Sequence, residues 1–235
     1  MKNLSIKNKG YRDEYGIFEI GHTVDGLKEN GYCNEQHKLG AVLYSKSAAE
    51  EDLFLRMRDV ILELCGDILH KNPEFVSAKT EYDFQHPVNT YDILVDGVKV
   101  GYLSVPHPVV LANIDKKCAV AFFEINTEVF ASVKVGANKY NEPSKFPAID
   151  IDLTFTCDVS AVSFGAVVNA AKAAAGDILS DVKMKYVYTD ESGVSALTLR
   201  FSFVSRERTL SKQELEPLTS AIIGALAPMG IALKA

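Results

Sequence analysis

Residues 149–157 read IDIDLTFTC, and apolar and polar side chains alternate along the whole segment. A strict period of two predicts a strand with one buried and one exposed face. Beyond it the sequence predicts a helix over 160–175, a strand over 182–188, a turn at 190–193, a strand over 194–204, a helix over 211–226 and an edge strand over 231–234. Ser211 and Glu214 form the capping-box pattern that opens the last helix. The order βαββαβ is typical of a ferredoxin-like domain.

The preceding part of the chain predicts strands around one long helix. Strands are predicted at the apolar segments 17–21, 39–44, 75–84, 91–95, 98–103 and 119–125. The first two are expected to be buried, with a polar loop at 25–38 between them. Ser47, with Glu50 three residues later, matches a capping box and opens a helix predicted over 48–69, because apolar residues then recur at helical spacing.

Together these elements predict an α+β protein, in which an N-terminal antiparallel sheet packed on helices precedes the ferredoxin-like domain. Asp96-Gly97, flanked by β-branched residues, predicts a hairpin turn inside the first sheet. Lys, Asn, Gly, Pro and Ser accumulate between the two parts. We therefore predict a first domain over 1–136, a linker over 137–147 and a second domain over 148–235.

Composition describes a globular chain with a net negative charge. The 235 residues are 47% hydrophobic and 24% charged, which is enough apolar material for a substantial core. Twenty-five Lys and Arg residues against 31 Asp and Glu residues give a formal charge of −6. Strong binding of a polyanion requires a concentrated positive surface, so any contact with RNA has to be local.

The sequence predicts a cytoplasmic protein without a membrane span. Its first 15 residues contain no apolar run of the kind found in a secretory signal, and the apolar segment 221–233 is too short to cross a bilayer. No CxxC pair occurs among the four cysteines, which are Cys33, Cys65, Cys118 and Cys157. Scattered cysteines without a signal peptide predict reduced thiols rather than disulfides or a zinc site.

The sequence contains no catalytic constellation, and we expect no catalytic residue, metal or cofactor. GxSxG, HExxH, Walker and GxGxxG motifs are all missing. His86 and His107 each precede a proline, and a polar turn residue is the favoured interpretation of both. Asp150 and Asp152 share one face of a predicted strand, a spacing that suits a bound cation or acid–base chemistry. Solvated outward residues of an alternating strand explain the same pair, and this interpretation is favoured.

A modest basic patch is predicted on the outer face of the second sheet. Its members, on the strands or just beyond them, are Lys183, Lys185, Arg200, Arg206 and Arg208. Because successive side chains of a strand point to opposite faces of the sheet, the same alternation predicts that Tyr186 and Tyr188 point toward the helices. Recognition of single-stranded RNA usually adds exposed aromatic residues for base stacking, and the parity argues against them here.

Several short motifs, in order, carry a resemblance to a known family. In the second part they are PSKFPAI at 143–149, Asp152-Leu153, RERTLSKQE at 206–214 and GIALK at 230–234. In the first part they are FEIG at 18–21, His86-Pro87, GYL at 101–103, His107-Pro108 and FEI at 123–125. The second part resembles the C-terminal ferredoxin-fold anticodon-binding domain of bacterial phenylalanyl-tRNA synthetase β subunits. The first part resembles the class II synthetase-like module that precedes it.

The resemblance implies a non-catalytic role, since the aminoacylating centre of that family lies in the α subunit. It implies docking to an α subunit through the first domain and contact with phenylalanine tRNA through the second. The implied tRNA-binding residues are Lys145, Lys183, Lys185, Arg200, Arg206 and Arg208. For Ser211, capping of the last helix is at least as good an interpretation as RNA contact.

Two departures from the family pattern lower the local positive charge. Asp150-Ile151 stands where basic residues are usual, and the chain ends Leu233-Lys234-Ala235 instead of Leu-Arg. A module for protein association that has lost tRNA binding therefore stays open as the alternative. Whether the chain forms a homo-oligomer also stays open.

Overall fold

The structure is a computed structural model that describes residues 6–8, 10–115, 117–138, 142–159, 161–190 and 195–234. The chain divides into two compact units, Met1–Lys139 and Tyr140–Ala235. Each unit has its own sheet and its own hydrophobic core. The α+β class predicted from the sequence is confirmed.

The described residues of the first unit form a six-stranded sheet in the order β1-β2-β6-β5-β4-β3, and every neighbouring pair is antiparallel. The strands are β1 Glu14–Leu27, β2 Cys33–Ser45, β3 Glu74–Ser77, β4 Gln85–Val95, β5 Val98–Pro106 and β6 Ala119–Asn126. The predicted hairpin turn between β4 and β5 is confirmed. Asp96 and Gly97 both have positive φ, 51° and 77°, as a two-residue turn matching the strand twist requires.

This sheet is accompanied by the helices α1 Glu50–Leu69, α2 Pro108–Ile114 and α3 Thr127–Ser132. Helix α1 buries one apolar stripe against β5 and β6, including Met57 and Ile61, which are almost wholly inaccessible. Strands β5 and β6 approach closely at Gly101, where a Cβ would overlap the carbonyl oxygen of Glu124 and lie 2.8 Å from the Cα of Ile125. Only glycine fits at this position.

The β1–β2 hairpin differs from its prediction in two ways. Instead of a polar loop over 25–38, the two strands continue to Leu27 and Cys33, because backbone pairing at an outer hairpin needs no apolar side chains. The apolar residues of β1 were also expected to be buried, but Phe18 and Ile20 are 74% and 68% exposed. They are exposed because β1 is the outermost strand of the sheet.

The start of helix α1 also differs from its prediction. The helix begins at Glu50 after Ala49, so the capping box predicted at Ser47 is wrong. The Ser45 Oγ instead accepts hydrogen bonds from the backbone N–H groups of Ser47 and Ala48, at 3.2 and 3.0 Å. The strand predicted over 75–84 is confined to β3, and helices α2 and α3 were not predicted, since both are too short to show a period.

The described residues of the second unit form a four-stranded antiparallel sheet in the order β10-β7-β9-β8, with two helices on one face. The elements are β7 Ile149–Cys157, α4 Phe164–Ala175, β8 Leu179–Thr189, β9 Ser195–Phe203, α5 Lys212–Leu226 and β10 Ala232–Leu233. If the four strands are numbered 1 to 4 along the chain, their order across the sheet is 4-1-3-2, so the predicted βαββαβ arrangement is confirmed. Phe155, Phe201 and Leu199 point to the helices and are fully buried.

Two helix starts in this unit can be compared with the sequence. Helix α4 begins at Phe164, where the Ser163 Oγ accepts from the N–H of Ala166 at 3.2 Å. The capping box at α5 is confirmed, because the N–H of Ser211 donates to the Glu214 carboxylate at 2.8 Å. The predicted helix start at 160, most of the turn at 190–193, the strand start at 194 and part of the linker lie outside the described residues. Within the described residues, no helix is long and apolar enough to cross a membrane.

Candidate nucleic-acid interface

The outer face of the second sheet, opposite α4 and α5, holds the predicted basic residues of the strands. Arg200 lies on β9 directly opposite Asp152 on β7 and opposite Lys183 on β8. Arg206 and Arg208 follow β9 before α5 begins, and Lys145 precedes β7. Strand pairing therefore brings Lys183 and Arg200 together, while the other residues lie on connecting segments or at an irregularity in β8.

Arg200 is held by two carboxylates. Its Nε and Nη2 donate to the two oxygens of Asp152 at 2.7 and 2.8 Å, and its Nη1 donates to Asp150 at 3.3 Å. Ser202 Oγ donates to the other oxygen of Asp150 at 2.7 Å. The guanidinium of Arg200 holds the pKa of Asp152 below its usual value, and Asp152 raises the pKa of Arg200.

We call these hydrogen bonds from the Arg200 guanidinium to Asp150 and Asp152 the fork at Arg200, and they determine what the two carboxylates can do. Both carboxylates are engaged by one guanidinium, so the pair does not have the open oxygen ligands that a cation needs. The lowered pKa of Asp152 is the opposite of what suits a general acid. Within the described ranges, no cluster of three or more His, Cys, Asp and Glu side chains could hold a metal ion. Arg200 is correspondingly less available to a phosphate than its position suggests.

Most of the other cations have exposed partners. Lys183 Nζ lies 3.3 Å from Asp181, Arg208 Nη2 lies 2.6 Å from Glu214, and Lys145 Nζ lies 3.8 Å from Glu142. Ion pairs this exposed contribute little, so a phosphate can replace the carboxylate at small cost.

Two predicted cations lack an ion pair in the part of the chain that the structure describes, Lys185 and Arg206. Lys185 lies close enough to Asp152 to help lower the pKa of that carboxyl group. The candidate face therefore combines an engaged Arg200 with accessible lysines beside it.

Tyr186 and Tyr188 lie on the outer face of the sheet, and the predicted orientation toward the helices is wrong. Along β8 the register shifts between Met184, opposite Leu199, and Tyr186, opposite Thr198, so that Lys185 is an extra residue. This β-bulge exchanges the two faces for the rest of the strand. The rings of Tyr186 and Tyr188 are 70% and 69% exposed.

The bulge places aromatic side chains beside cations on one open surface. Tyr186 is close enough to Arg200 for the two groups to interact electrostatically. Exposed aromatic rings stack on unpaired bases, and neighbouring lysines bind the phosphates between them. We call the outer-face residues Lys183, Lys185, Tyr186, Tyr188 and Arg200 the tyrosine face. The alternation of side chains in the sequence does not predict that these rings lie on the outer face, because a β-bulge leaves no signal in the apolar pattern.

In the first unit, the two histidines that precede prolines organise turns. His86 Nδ1 accepts from the N–H groups of Val88 and Asn89 at 3.2 and 3.0 Å. His107 caps α2, its Nδ1 accepting from the N–H of Val109 at 3.3 Å. These three hydrogen bonds agree with the polar turn interpretation of both histidines.

Comparison with protein-family models assigns both units. Residues 2–127 match the phenylalanyl tRNA synthetase beta chain CLM domain, and residues 144–234 match the ferredoxin-fold anticodon binding domain. The chain belongs to the phenylalanyl-tRNA synthetase beta chain family. The resemblance noted in the sequence motifs is thereby confirmed.

Curated relatives in this family match along almost the whole chain. The phenylalanine–tRNA ligase beta subunit of Staphylococcus aureus (strain COL) is 26% identical over 241 residues, and that of Neisseria meningitidis serogroup A is 26% identical over 237 residues. Each alignment covers 99% of this chain and 29% of the relative. The chain thus spans less than a third of the length of these relatives.

Among solved structures, the pyrrolysyl tRNA synthetase PylSc of Desulfitobacterium hafniense is 15% identical, with a TM-score of 0.43. The alignment covers 55% of this chain and 45% of that one. This similarity is too weak to support an inference about function.

Proposed function

We propose that this chain is a non-catalytic, tRNA-binding part of a phenylalanyl-tRNA synthetase beta subunit, and that it binds the anticodon region of phenylalanine tRNA through the tyrosine face. The observation that carries the proposal is the exposure of Tyr186 and Tyr188 beside Lys185 on the open side of the sheet. The match of this unit to an anticodon binding domain supports it. Anticodon bases are unpaired and can stack on such rings.

The charges of the face predict how binding responds to salt. Arg200 is neutralised by Asp150 and Asp152, and the whole chain carries −6. Few phosphates can therefore be contacted by uncompensated cations, which among the described residues of the predicted patch are Lys185 and Arg206. We expect a shallow dependence of affinity on salt, since each phosphate contact on a single strand contributes a slope of about 0.7.

A salt titration of the purified chain against phenylalanine tRNA and an unrelated tRNA tests the proposal. We expect tighter binding of phenylalanine tRNA, and Arg206→Ala with Arg208→Ala to weaken binding and flatten its salt dependence. An isolated anticodon stem-loop should compete with the full tRNA. Absence of binding at low salt would overturn the proposal and leave protein association as the role of this unit.

We propose further that the first unit associates with a synthetase α subunit through an apolar groove between β1 and α1. The groove encloses about 500 Å³ and is lined by Phe18, Ile20, Leu39, Val60 and Leu64, among others. Phe18 and Ile20 are mostly exposed and Val60 is 42% exposed. Apolar patches of this kind mark protein interfaces.

Ile20→Asp tests the association, because an exposed side chain can be replaced without damage to the core. We expect the variant to lose co-purification with a co-expressed α subunit. Val88→Asp is the matched control, since Val88 is 69% exposed and lies outside the groove. Equal recovery of the α subunit with both variants would overturn the proposal. Sedimentation of the chain alone would show whether it also pairs with a second copy.

A cytoplasmic location and the domain boundaries 1–136 and 148–235, joined by 137–147, complete the proposal. Cys33, Cys65 and Cys157 are free thiols, as expected in a reducing compartment. Burial raises the pKa of the Cys65 thiol to about 11, which keeps it unreactive.

A further inference from the structure

The first unit contains a second cavity, on the sheet face opposite α1, that neither tRNA binding nor subunit association uses. It encloses about 500 Å³, within the range of small-molecule sites. Its floor is formed by β2 and β6, where Val42 pairs with Phe122 and Gly40 pairs with Glu124. Helix α2 closes one side with Ile114.

One wall of this cavity is aromatic. The rings of Phe84 and Phe122 lie 5.9 Å apart, and those of Tyr102 and Phe122 lie 6.1 Å apart, nearly perpendicular. Tyr82 stacks on Phe84 at 5.1 Å, which restricts the orientation of that ring. Three rings converging on a cavity bind an aromatic or cationic group well, because their faces carry partial negative charge.

The polar end of the cavity has an excess of negative charge. Lys38 Nζ donates to Glu124 Oε1 at 2.8 Å, and both side chains are mostly buried. That bond uses one oxygen of Glu124, so the second can accept from a ligand. Glu19 lies on the same face, opposite Gly40, and adds a second carboxylate. The basic residues in the described lining are Lys38 and His22, and His22 Nδ1 lies 3.7 Å from Glu35.

We propose that this cavity binds a small aromatic amine, with its ring against Phe84, Tyr102 and Phe122 and its ammonium group near Glu124 and Glu19. The aromatic wall and the excess carboxylate are independent features, and both favour a cation with an apolar body. An anion of the same shape would meet both carboxylates and the negative faces of the rings.

Gly21 allows the cavity to be filled without strain. It lines the cavity opposite Lys38 on β1, its φ lies outside the left-handed region, and a Cβ there meets no atom within 4 Å. Gly21→Leu therefore places a side chain in the cavity while the strand stays intact. Gly66→Leu is the matched control, because Gly66 lies on α1 with equally open space and does not line the cavity.

Ligand-observed NMR and calorimetry on the full chain test the site with three probes of one shape: phenethylamine, phenethyl alcohol and hydrocinnamate. We expect saturable binding of phenethylamine, with the alcohol at least about 10-fold weaker and hydrocinnamate weaker still. Gly21→Leu should abolish binding and Gly66→Leu should retain it. Glu19→Gln should weaken the amine and leave the alcohol unchanged, which a merely structural role of Glu19 would not produce.

Several results would overturn the proposal. Phenethylamine that fails to bind at millimolar concentration, or hydrocinnamate that binds as tightly, would exclude an amine site. Full affinity in Gly21→Leu would place the ligand elsewhere. The melting temperature of each variant confirms that it is folded, and the outcome is independent of tRNA binding, which neither Gly21 nor Glu19 affects in our proposal.

Discussion

Tyr186→Leu removes the ring that lies in the middle of the tyrosine face and preserves an apolar side chain. Stacking of one base on an aromatic ring contributes about 1–3 kcal/mol, so we expect affinity for phenylalanine tRNA to fall by about 5- to 150-fold. The stability of the chain should change by less than about 0.5 kcal/mol, because the side chain is 70% exposed.

A fluorescence or filter-binding titration at several salt concentrations separates stacking from charge. Tyr186→Leu should lower affinity equally at every salt concentration, since it removes no charge. Lys185→Ala should instead reduce the slope of log affinity against log salt by about 0.7. Tyr186→Phe, which keeps the ring, should bind like the original chain.

Tyr32 provides the control for this measurement. It is also 70% exposed but lies in the first unit, beside the β1–β2 turn. Tyr32→Leu should leave tRNA binding unchanged. Unchanged affinity in Tyr186→Leu, or an equal loss in Tyr32→Leu, would refute stacking at this face.

Three further predictions follow from single contacts. Hydrogen bonds from Arg208 and Ser211 lower the pKa of Glu214 from 4.5 to about 2, so the ionised carboxylate stabilises the second unit above pH 4.5 and this contribution is lost as the pH falls toward 2. Glu214→Gln should remove that part of the pH dependence of stability, measured by urea unfolding, whereas the control Glu216→Gln should preserve it. Gly101→Ala forces a methyl group onto the backbone of β6 and should cost about 3 kcal/mol in the same assay, and a loss below about 1 kcal/mol would contradict the close approach. Asp152→Asn should strengthen tRNA binding at low salt, because it releases the Arg200 guanidinium from one of its two carboxylates. Weaker binding would contradict this expectation and show that the fork at Arg200 is needed to hold the residues of the tyrosine face in place.

The sequence predicts the elements of the second unit well and the residues on its outer face poorly, for a physical reason. Apolar and polar side chains alternate along β7 and β9 because one face of each strand is buried, and this alternation is visible in the order of residues. The extra residue in β8 is set by pairing with β9, and nothing local marks Lys185 as unpaired. The orientation of Tyr186 therefore becomes visible only when the strands are paired.

The first unit illustrates the same limit with other interactions. The apolar stripe of α1 is evident in the sequence, whereas its start depends on Ser45, which belongs to the preceding strand. In the second unit, likewise, the hydrogen bonds of Arg200 join residues 48 and 50 positions apart. The cavity above β2 and β6 is likewise assembled from several strands and α2, so no continuous segment predicts it.

The bulge in β8 affects how this chain should be aligned with other proteins. An alignment that keeps residues 183–189 in continuous register with a relative lacking the extra residue equates Tyr186 with a position facing the helices. A gap placed at Lys185 instead equates it with a position on the open face. Substitution patterns at the two tyrosines are therefore informative only in alignments whose gaps follow the strand pairing.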